Sequence, residues 1–489
     1  MATGISTTPT GSSPLVDFSK AAVHKIARYA LVIALGSFLF GYNTGVVSGA
    51  LLFIKHRFDL DAFQQGTVVS VLLLGAIVGS LFAGRIADAK GRRATLGLIS
   101  IIFALGIGIA ALANSYAMLI VGRVIMGLGV GAVSALVPTY LSEISPPQIR
   151  GRVMTISQLG ITSGLLVSYL VDLAFAGAHD WRAMFAVGLI PALALAIGTL
   201  FLPESPSWLL DHGKEPKARS EIAAVAGDEA AEKSIARYKR EAEEHQHAGD
   251  DQQAGRKGYR VLLKPSLRAA MVVGLTLAVL QQFVGINAIM YYAPTIMQRT
   301  GLSTSNSILY SVFIGIINFG ATIVSMRLID RLGRRPLLLI SLVGMLVSLA
   351  ALGLSFVASL SPVVTLLFIL LYIVAFAIGM GPVFWILLGE IFPPEARAAG
   401  ASAGSNANWT SNFLVSLVFL PIINAIGTGE TFWAFGVVCA FGLWFVSRYV
   451  PETRDREFPD VDKDLQVRWK GGVSRHAASH LPRHRRATS

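Results

Sequence analysis

Twelve long apolar runs dominate this sequence, separated by shorter polar stretches. A helix that crosses a bilayer needs about 20 mostly apolar residues, because the hydrocarbon core is about 30 Å thick. The runs that meet this length are residues 29–54, 67–85, 95–113, 116–141, 153–176, 184–202, 269–297, 308–326, 336–357, 363–389, 398–426 and 432–450. The pattern predicts an all-α membrane protein with two sets of six spans, which we number 1 to 12.

The polar stretches divide the chain into five predicted parts. These are an N-terminal tail (1–28), a first six-helix bundle (29–202), a linker with short helices (203–264), a second six-helix bundle (265–450) and a C-terminal tail (451–489). The linker is rich in Ala, Glu, Lys and Arg, which is typical of a solvated, charged segment. The basic run at 480–489 is expected to be disordered.

Lys and Arg residues distinguish the two sides of the membrane. They concentrate in the loops after spans 2, 4 and 8, at Arg85, Lys90, Arg92, Arg93, Arg150, Arg152, Arg327, Arg331, Arg334 and Arg335. The loops on the other side are sparser, with Lys55, Arg57, Arg182 and Arg299. Because cytoplasmic loops are enriched in Lys and Arg, we predict a multi-pass plasma-membrane protein whose two termini and linker are cytoplasmic.

The composition agrees with a membrane protein and argues against other classes. Hydrophobic residues make up 53% of the 489 residues and charged residues only 14%, against about 25% charged in a soluble protein. Topology explains the net charge of +12, so no nucleic-acid partner is expected. The sequence holds one cysteine, Cys439, and no ligand cluster or catalytic triad at plausible spacing. We therefore expect no disulfide framework, metal, cofactor, catalytic residue or enzyme activity. The expected partners are the bilayer and a small molecule, with no obligatory protein partner.

Span 7 carries a cluster of polar residues within an apolar run, QQFVGINAIMYY at residues 281–292. Its polar residues are Gln281, Gln282, Asn287, Tyr291 and Tyr292. Uncharged amides and phenols at membrane depth are costly unless they find partners. Their donors and acceptors suit a cargo covered in hydroxyl groups, although they would also serve to hold helices together.

The two halves of the chain repeat four motifs in the same order. The paired segments are FGYNTGV and VGINAIM, DAKGRR and DRLGRR, EISPPQIR and EIFPPEAR, and PES and PET. Their near-constant spacing indicates a duplicated six-helix unit. In transporters built from such parallel repeats, the substrate site lies at the repeat interface near the midplane of the membrane.

The repeated charged motifs predict a latch, meaning salt bridges that hold the cytoplasmic side closed when the protein faces outward. Its candidate residues are Arg92, Arg93, Glu143, Arg150, Glu204, Arg334, Arg335, Glu390, Arg397 and Glu452. Acids recur beside the bases at matched positions, and anchoring by positive charge needs no acids. Simple anchoring remains the alternative.

These motifs together resemble the sugar porter family of the major facilitator superfamily, over about residues 29–456. DAKGRR, ESPSWL, QQFVGINAIMYY, DRLGRRP and PETRDR carry the resemblance in combination, although PETRDR departs from the family's usual PETKGR at Arg454 and Asp455. GYNTGV and NWTSN resemble facilitative glucose transporters, and the family also includes bacterial sugar symporters. The resemblance implies twelve helices in two pseudo-symmetric six-helix bundles around a central cavity that opens alternately to each side. Met380 departs from the family pattern, in which many bacterial members have a tryptophan.

The resemblance also implies sugar-binding positions. They are Gln158, Gln281, Gln282, Asn287, Asn318, Trp385 and Asn408, with Trp409 nearby. Amides both donate and accept hydrogen bonds, so they satisfy hydroxyls of either polarity. An indole adds an apolar face and an N–H donor.

Two positions bear on how transport is driven. Proton-coupled relatives carry aspartate where this chain has Asn43, and the family's span-4 arginine matches Arg123. Asparagine cannot change charge, so the chain is interpreted as a facilitative uniporter for a hexose such as glucose. A proton-coupled sugar symporter is the alternative, followed by a polyol, inositol or drug transporter.

Overall fold

The computed structural model describes residues 20–145, 150–247 and 258–470. Within these ranges, 12 segments are long and apolar enough to cross a membrane. Each overlaps one of the predicted runs, and the described residues contain helices but no strands. The predicted all-α membrane class is confirmed.

The first bundle contains seven helices that form spans 1 to 6. Spans 1 to 5 are single helices: α1 (Lys20–Arg57), α2 (Ala62–Lys90), α3 (Arg92–Ala111), α4 (Tyr116–Ile144) and α5 (Arg150–Ala176). Span 6 is divided into α6 (Trp181–Ala186) and α7 (Leu189–Thr199). The first helix therefore begins before the predicted start of span 1 at residue 29.

The linker forms three helices in the described residues, α8 (Pro206–Asp211), α9 (Glu215–Ala226) and α10 (Asp228–His247). The indole of Trp208 donates to the carbonyl of Asp88 at 2.7 Å, which attaches α8 to the end of α2. Lys239 and Glu215 form an ion pair between α10 and α9 at 2.8 Å. The linker thus folds back on itself and on the first bundle.

The second bundle follows two short 3₁₀ turns, Gly258–Leu263 and Pro265–Leu267. Its helices are α11 (Arg268–Phe283), α12 (Ile286–Gln298), α13 (Thr304–Leu332), α14 (Arg334–Val357), α15 (Pro362–Ile378), α16 (Met380–Glu390), α17 (Pro394–Ile426) and α18 (Thr428–Tyr449). Spans 7 and 10 are therefore broken, into α11 with α12 and α15 with α16. Discontinuous helices at membrane depth are tolerated where neighbouring groups satisfy the freed backbone.

Gly285 makes the break in span 7. Its φ of +95° is left-handed, a conformation that glycine adopts without the steric cost of a Cβ. A Cβ at this position would lie 2.4 Å from the ring of Phe435. Both the backbone conformation and the close packing therefore require glycine here.

The two bundles meet along α2 with α17 and along α5 with α13. We call the end where α2 joins α3, which carries Arg92 and Arg334, the basic end. A Cβ on Gly66 would lie 2.2 Å from the carbonyl oxygen of Leu417, so the two helices are in backbone contact far from the basic end. Small residues allow such close approach. Contacts between the bundles extend from mid-depth to the end opposite the basic end.

The C-terminal tail contains a further helix, α19 (Phe458–Trp469). Its Val461 and Leu465 are buried, and Asp464 pairs with Arg456 at 3.2 Å and Arg468 at 3.1 Å. The start of the predicted tail is therefore packed on the second bundle. The basic run at 480–489 lies outside the described residues.

Candidate functional site

Four amide side chains form one hydrogen-bond network in the second bundle. Asn408 Nδ2 donates to Gln281 Oε1 at 2.5 Å, and Gln282 Nε2 donates to Asn408 Oδ1 at 3.1 Å. Asn287 Nδ2 donates to Gln282 Oε1 at 2.7 Å. We call Gln281, Gln282, Asn287 and Asn408 the amide cluster. The structure brings together residues on α11, α12 and α17 that the sequence separates by more than a hundred positions.

The amide cluster is joined to the break in span 10. Gln281 Nε2 donates to the carbonyl oxygens of Met380 at 3.3 Å and Gly381 at 3.0 Å. The hydroxyl of Ser341 accepts from the Met380 N–H at 3.0 Å. These bonds satisfy backbone groups that a continuous helix would have paired internally. Both broken spans thus meet at the amide cluster.

A second polar group on the same helices extends the cluster away from the basic end. Asn412 Nδ2 donates to Tyr291 Oη at 3.2 Å, and Ser416 Oγ donates to Asn412 Oδ1 at 3.1 Å. Tyr292 Oη donates to the Ser416 carbonyl at 2.7 Å. Asn412 was absent from the predicted site. The signal was its spacing, since residues four apart on a helix share a face, and Asn412 follows Asn408 by one turn.

The other predicted sugar-binding residues lie outside this hydrogen-bond network in the described structure. Gln158 on α5 is exposed and Asn318 on α13 is partly exposed. Trp385 on α16 is 47% exposed and meets the ring of Phe384 edge to face at 4.8 Å. Trp409 is buried and packs against Phe40 of the first bundle at 5.8 Å between ring centroids. Trp409 therefore contributes to the contact between the bundles at mid-depth.

Arg123 is fully buried in the first bundle and bonded to backbone carbonyls. It donates to Val68 O at 3.0 Å, to Val69 O at 3.3 Å and to Asn43 O at 3.1 Å. The Asn43 side chain donates to Leu39 O at 2.8 Å, and its Oδ1 has no hydrogen-bond partner among the described residues. Arg123 thus lies next to the position at which the symporter pattern has an acid.

Asp172 is a second group of interest near this position, because it is a fully buried acid on α5. Its Oδ2 accepts from the backbone N–H of Gly49 at 3.1 Å. Its Oδ1 has no hydrogen-bond partner in the described part of the chain. Asp172 lies near the end of α5 (Arg150–Ala176), and the helix contact with Gly49 encloses it in protein.

The charged motifs of the first repeat form one compact site at the basic end. Arg92 makes a bidentate pair with Glu143, at 2.9 Å and 3.0 Å, and a further contact with Asp88 at 3.1 Å. Glu204 Oε1 accepts the backbone N–H groups of Arg92 at 2.8 Å and Arg93 at 3.2 Å. A carboxylate at the N-terminus of a helix satisfies its free N–H groups and its dipole.

The second repeat builds the same arrangement. Arg334 Nη2 pairs with Glu390 at 3.0 Å, and Glu452 accepts the N–H groups of Arg334 at 3.0 Å and Arg335 at 3.1 Å. Arg397 is exposed, whereas the side chain of Arg150 lies outside the described residues. The salt bridges of both repeats join helices within one bundle.

Comparison with known proteins agrees with this architecture. Residues 29–465 match the family described as sugar (and other) transporter. The chain belongs to this sugar transporter family of the major facilitator superfamily. It is 40% identical to the probable metabolite transport protein CsbC of Bacillus subtilis, over 89% of this chain and 94% of that protein. It is 37% identical to the glucose transporter GlcP of Staphylococcus epidermidis, over 91% of this chain and 98% of that protein.

Solved structures of a family member have the same fold. The partially occluded inward open conformation of the xylose transporter XylE from E. coli matches with a TM-score of 0.77 and 30% identity, over 88% of this chain and 99% of XylE. The proton:xylose symporter XylE bound to 6-bromo-6-deoxy-D-glucose matches with a TM-score of 0.73. The chain is therefore a multi-pass sugar transporter, and the expectation that it is not an enzyme is confirmed by its relatives.

Proposed function

We propose that this sugar transporter is a facilitative uniporter for a hexose such as glucose, working by alternating access. The observation that carries the sugar site is the amide cluster, in which Gln281 and Gln282 are 3% and 5% exposed. It lies where two broken spans meet, and half-helices commonly form substrate sites in transporters. The 37% identity to a glucose transporter supports glucose as the first sugar to test.

Sugar binding exchanges one set of hydrogen bonds for another. In the structure the amides satisfy each other, so burying the cluster carries little desolvation cost. A sugar hydroxyl donates and accepts, as an amide does, and each net hydrogen bond contributes about 0.5–1.5 kcal/mol. Asn287 is partly exposed and is the member positioned to exchange its bond first. The exposed face of Trp385 offers an apolar surface for the C–H face of the ring.

The surroundings of Arg123 support the proposal of uniport. Its three hydrogen bonds end on carbonyls, and Asn43 cannot release a proton. A proton-coupled carrier needs a group that changes charge between the two open states. At the position beside Arg123 where the symporter pattern has an acid, this chain has Asn43.

Asp172 supports a second candidate, proton-coupled symport. A buried carboxyl with one unpaired oxygen is costly when charged, and protonation removes that cost. The similarity to XylE, a proton:xylose symporter, makes this alternative worth testing. The two candidates differ in whether a proton gradient drives accumulation.

The proposed orientation places the basic end, the linker and both termini in the cytoplasm of a cell whose plasma membrane holds the carrier. The contacts between the bundles named above lie at mid-depth and towards the opposite end, which supports a cavity that opens to the cytoplasm in this structure. In this structure the salt bridges proposed for the latch lie within each bundle, so they would favour the closed cytoplasmic side by holding each bundle in shape and not by joining the two bundles. We propose that Arg92–Glu143 and Arg334–Glu390 keep each bundle rigid while the bundles rock. Glu143→Gln is expected to shift the inward/outward balance in accessibility labelling; an unchanged balance excludes the latch.

Reconstitution in proteoliposomes tests the function. We expect labelled glucose to enter by counterflow without a proton gradient, and an imposed gradient to leave the final level unchanged. Competition by galactose, xylose, fructose and inositol then ranks the substrates. Gradient-driven accumulation that is lost in Asp172→Asn, with exchange retained, would replace uniport by symport through Asp172. Absence of uptake of every sugar in the panel would reject sugar transport by the amide cluster.

A further inference from the structure

A polar pocket lies between the two bundles at the end opposite the basic end. Its volume is about 300 Å³, which falls at the small end of ligand sites. The first bundle lines it from α1 and α2, and the second bundle from α17 and from α12 with the residue that follows it. The lining residues are Lys55, Ala62, Gln65, Thr295, Gln298, Arg299, Leu420 and Asn424. Each bundle therefore contributes part of the wall, and the pocket exists only where the bundles meet.

The lining of this pocket carries two positive charges and no acid. Lys55 belongs to the first bundle and Arg299 to the second. Lys55 Nζ donates to Gln298 Oε1 at 3.2 Å, and Arg299 Nη2 donates to Asn424 Oδ1 at 2.5 Å. Amide oxygens satisfy individual N–H groups but carry no net charge. Two like charges thus face each other across a contact that holds the two bundles together.

Thr295 provides a separate indication of a ligand. Its side chain is 8% exposed, and its hydroxyl has no hydrogen-bond partner among the described residues. A buried hydroxyl without a partner costs free energy, and the residue that carries this one lines the pocket. An oxygen atom of a bound anion would accept its hydrogen bond.

We propose that this pocket binds an oxyanion of the phosphate class, with Lys55 and Arg299 as its charged contacts and Thr295 as a donor. Charge-assisted hydrogen bonds to an anion are the strong kind, and a dianion matches the two positive charges. Because the two cations come from different bundles, the anion binds the state in which this end is closed. By linkage, the bound anion shifts the carrier towards the conformation closed at this end, to an extent set by how much more tightly the anion binds that conformation than the open one.

The oxyanion has two sources, a free ion or the phosphate of an anionic lipid headgroup. The first arm of the test uses purified protein in detergent and sodium sulfate, compared with sodium chloride at equal ionic strength. We expect a saturable rise of the thermal unfolding midpoint of about 2 °C or more. Sulfate also stabilises proteins without binding, so the variants decide the result.

The variants are Lys55→Gln and Arg299→Gln, with Arg57→Gln as the matched control. Arg57 is an exposed cation on the same helix end as Lys55 and does not line the pocket. We expect the saturable part to disappear in both pocket variants and to persist in the control. An equal rise in all four proteins means general salt stabilisation and overturns the proposal. Two pocket variants are used so that misfolding of one leaves the test intact.

The second arm repeats the measurement in nanodiscs of phosphatidylcholine, with and without phosphatidylglycerol. A sulfate effect that persists with phosphatidylglycerol assigns the site to a free ion. An effect that phosphatidylglycerol abolishes in the wild type and in Arg57→Gln assigns the site to the lipid headgroup. A third readout is the maleimide reactivity of Leu420→Cys, since Leu420 is buried in the closed state and the native Cys439 is buried too. We expect sulfate to slow this labelling several-fold in the wild-type background; unchanged labelling contradicts the linkage.

Discussion

Gln281 and Asn287 belong to the same amide cluster, yet their replacement is expected to have different consequences. Four hydrogen bonds end on the Gln281 side chain, two donated to the carbonyls of Met380 and Gly381 and two accepted from Gln282 and Asn408. A buried polar group left without its partner costs about 1–3 kcal/mol. Gln281→Ala strands two carbonyls at the break in span 10, so we expect a loss of about 2–4 kcal/mol in stability.

Asn287 makes a single hydrogen bond within the cluster, to Gln282 at 2.7 Å, and is partly exposed. Asn287→Ala should therefore cost about 1 kcal/mol or less in stability. If Asn287 bonds one or two sugar hydroxyls, its loss weakens binding by about 1–3 kcal/mol, which is about 5- to 150-fold in Kd. We expect the two variants to differ in stability, which should fall mainly in Gln281→Ala, whereas sugar affinity should fall in both.

The assay pairs thermal unfolding in detergent with equilibrium binding of labelled sugar. Asn306→Ala is the matched control, since Asn306 is exposed on α13 and remote from the cluster. For Gln281→Ala we expect a fall of about 4 °C or more in the unfolding midpoint. Unchanged sugar affinity in Asn287→Ala, or a Gln281→Ala variant as stable as the control, refutes the reasoning.

Two further predictions concern the basic end and the coupling position. Gly91 has φ of +94°, and a Cβ there would lie 2.3 Å from Glu204 Oε2, so Gly91→Ala should lower the free energy of unfolding by about 1–3 kcal/mol. A Cβ on Gly84 would meet no atom within 4 Å, so Gly84→Ala should be neutral or slightly stabilising. Equal stability of the two variants in thermal unfolding contradicts this prediction. Asn43→Asp places a titratable group beside Arg123, so the rate of sugar counterflow should depend on pH in this variant and not in the wild type. A counterflow rate that is independent of pH in both proteins rejects a coupling role for this position.

The span pattern could be predicted because membrane insertion depends on local composition. Each of the 12 helical segments overlaps a run of apolar sequence, since every backbone group in lipid must be satisfied within a helix. The start of the first helix and the helix in the C-terminal tail could not be predicted in the same way. Residues 24–28 of the first helix, with the buried Ile26, and the helix Phe458–Trp469, with the buried Leu465, are polar or mixed in composition. They pack against the bundles, a contact that local composition does not reveal.

The candidate site illustrates the same division. The amides of span 7 stood out because polar side chains in an apolar run are costly. Only the tertiary structure shows that these amides bond to Asn408 and that Gln281 bonds to the broken span 10. The environments of Asn412 and Asp172 also emerge only from the fold, since burial and hydrogen-bond partners depend on which helices are neighbours.

The sequence by itself determined the class of protein, the number of spans and the duplication, because hydrophobic length and repeated motifs are properties of the chain read in order. Only the tertiary structure decided which polar groups pair. It also decided that the charged motifs bond within one bundle and that Lys55 and Arg299 share a pocket between the two. These are contacts between residues far apart in sequence, and their free energy depends on distance and burial, which no local pattern encodes.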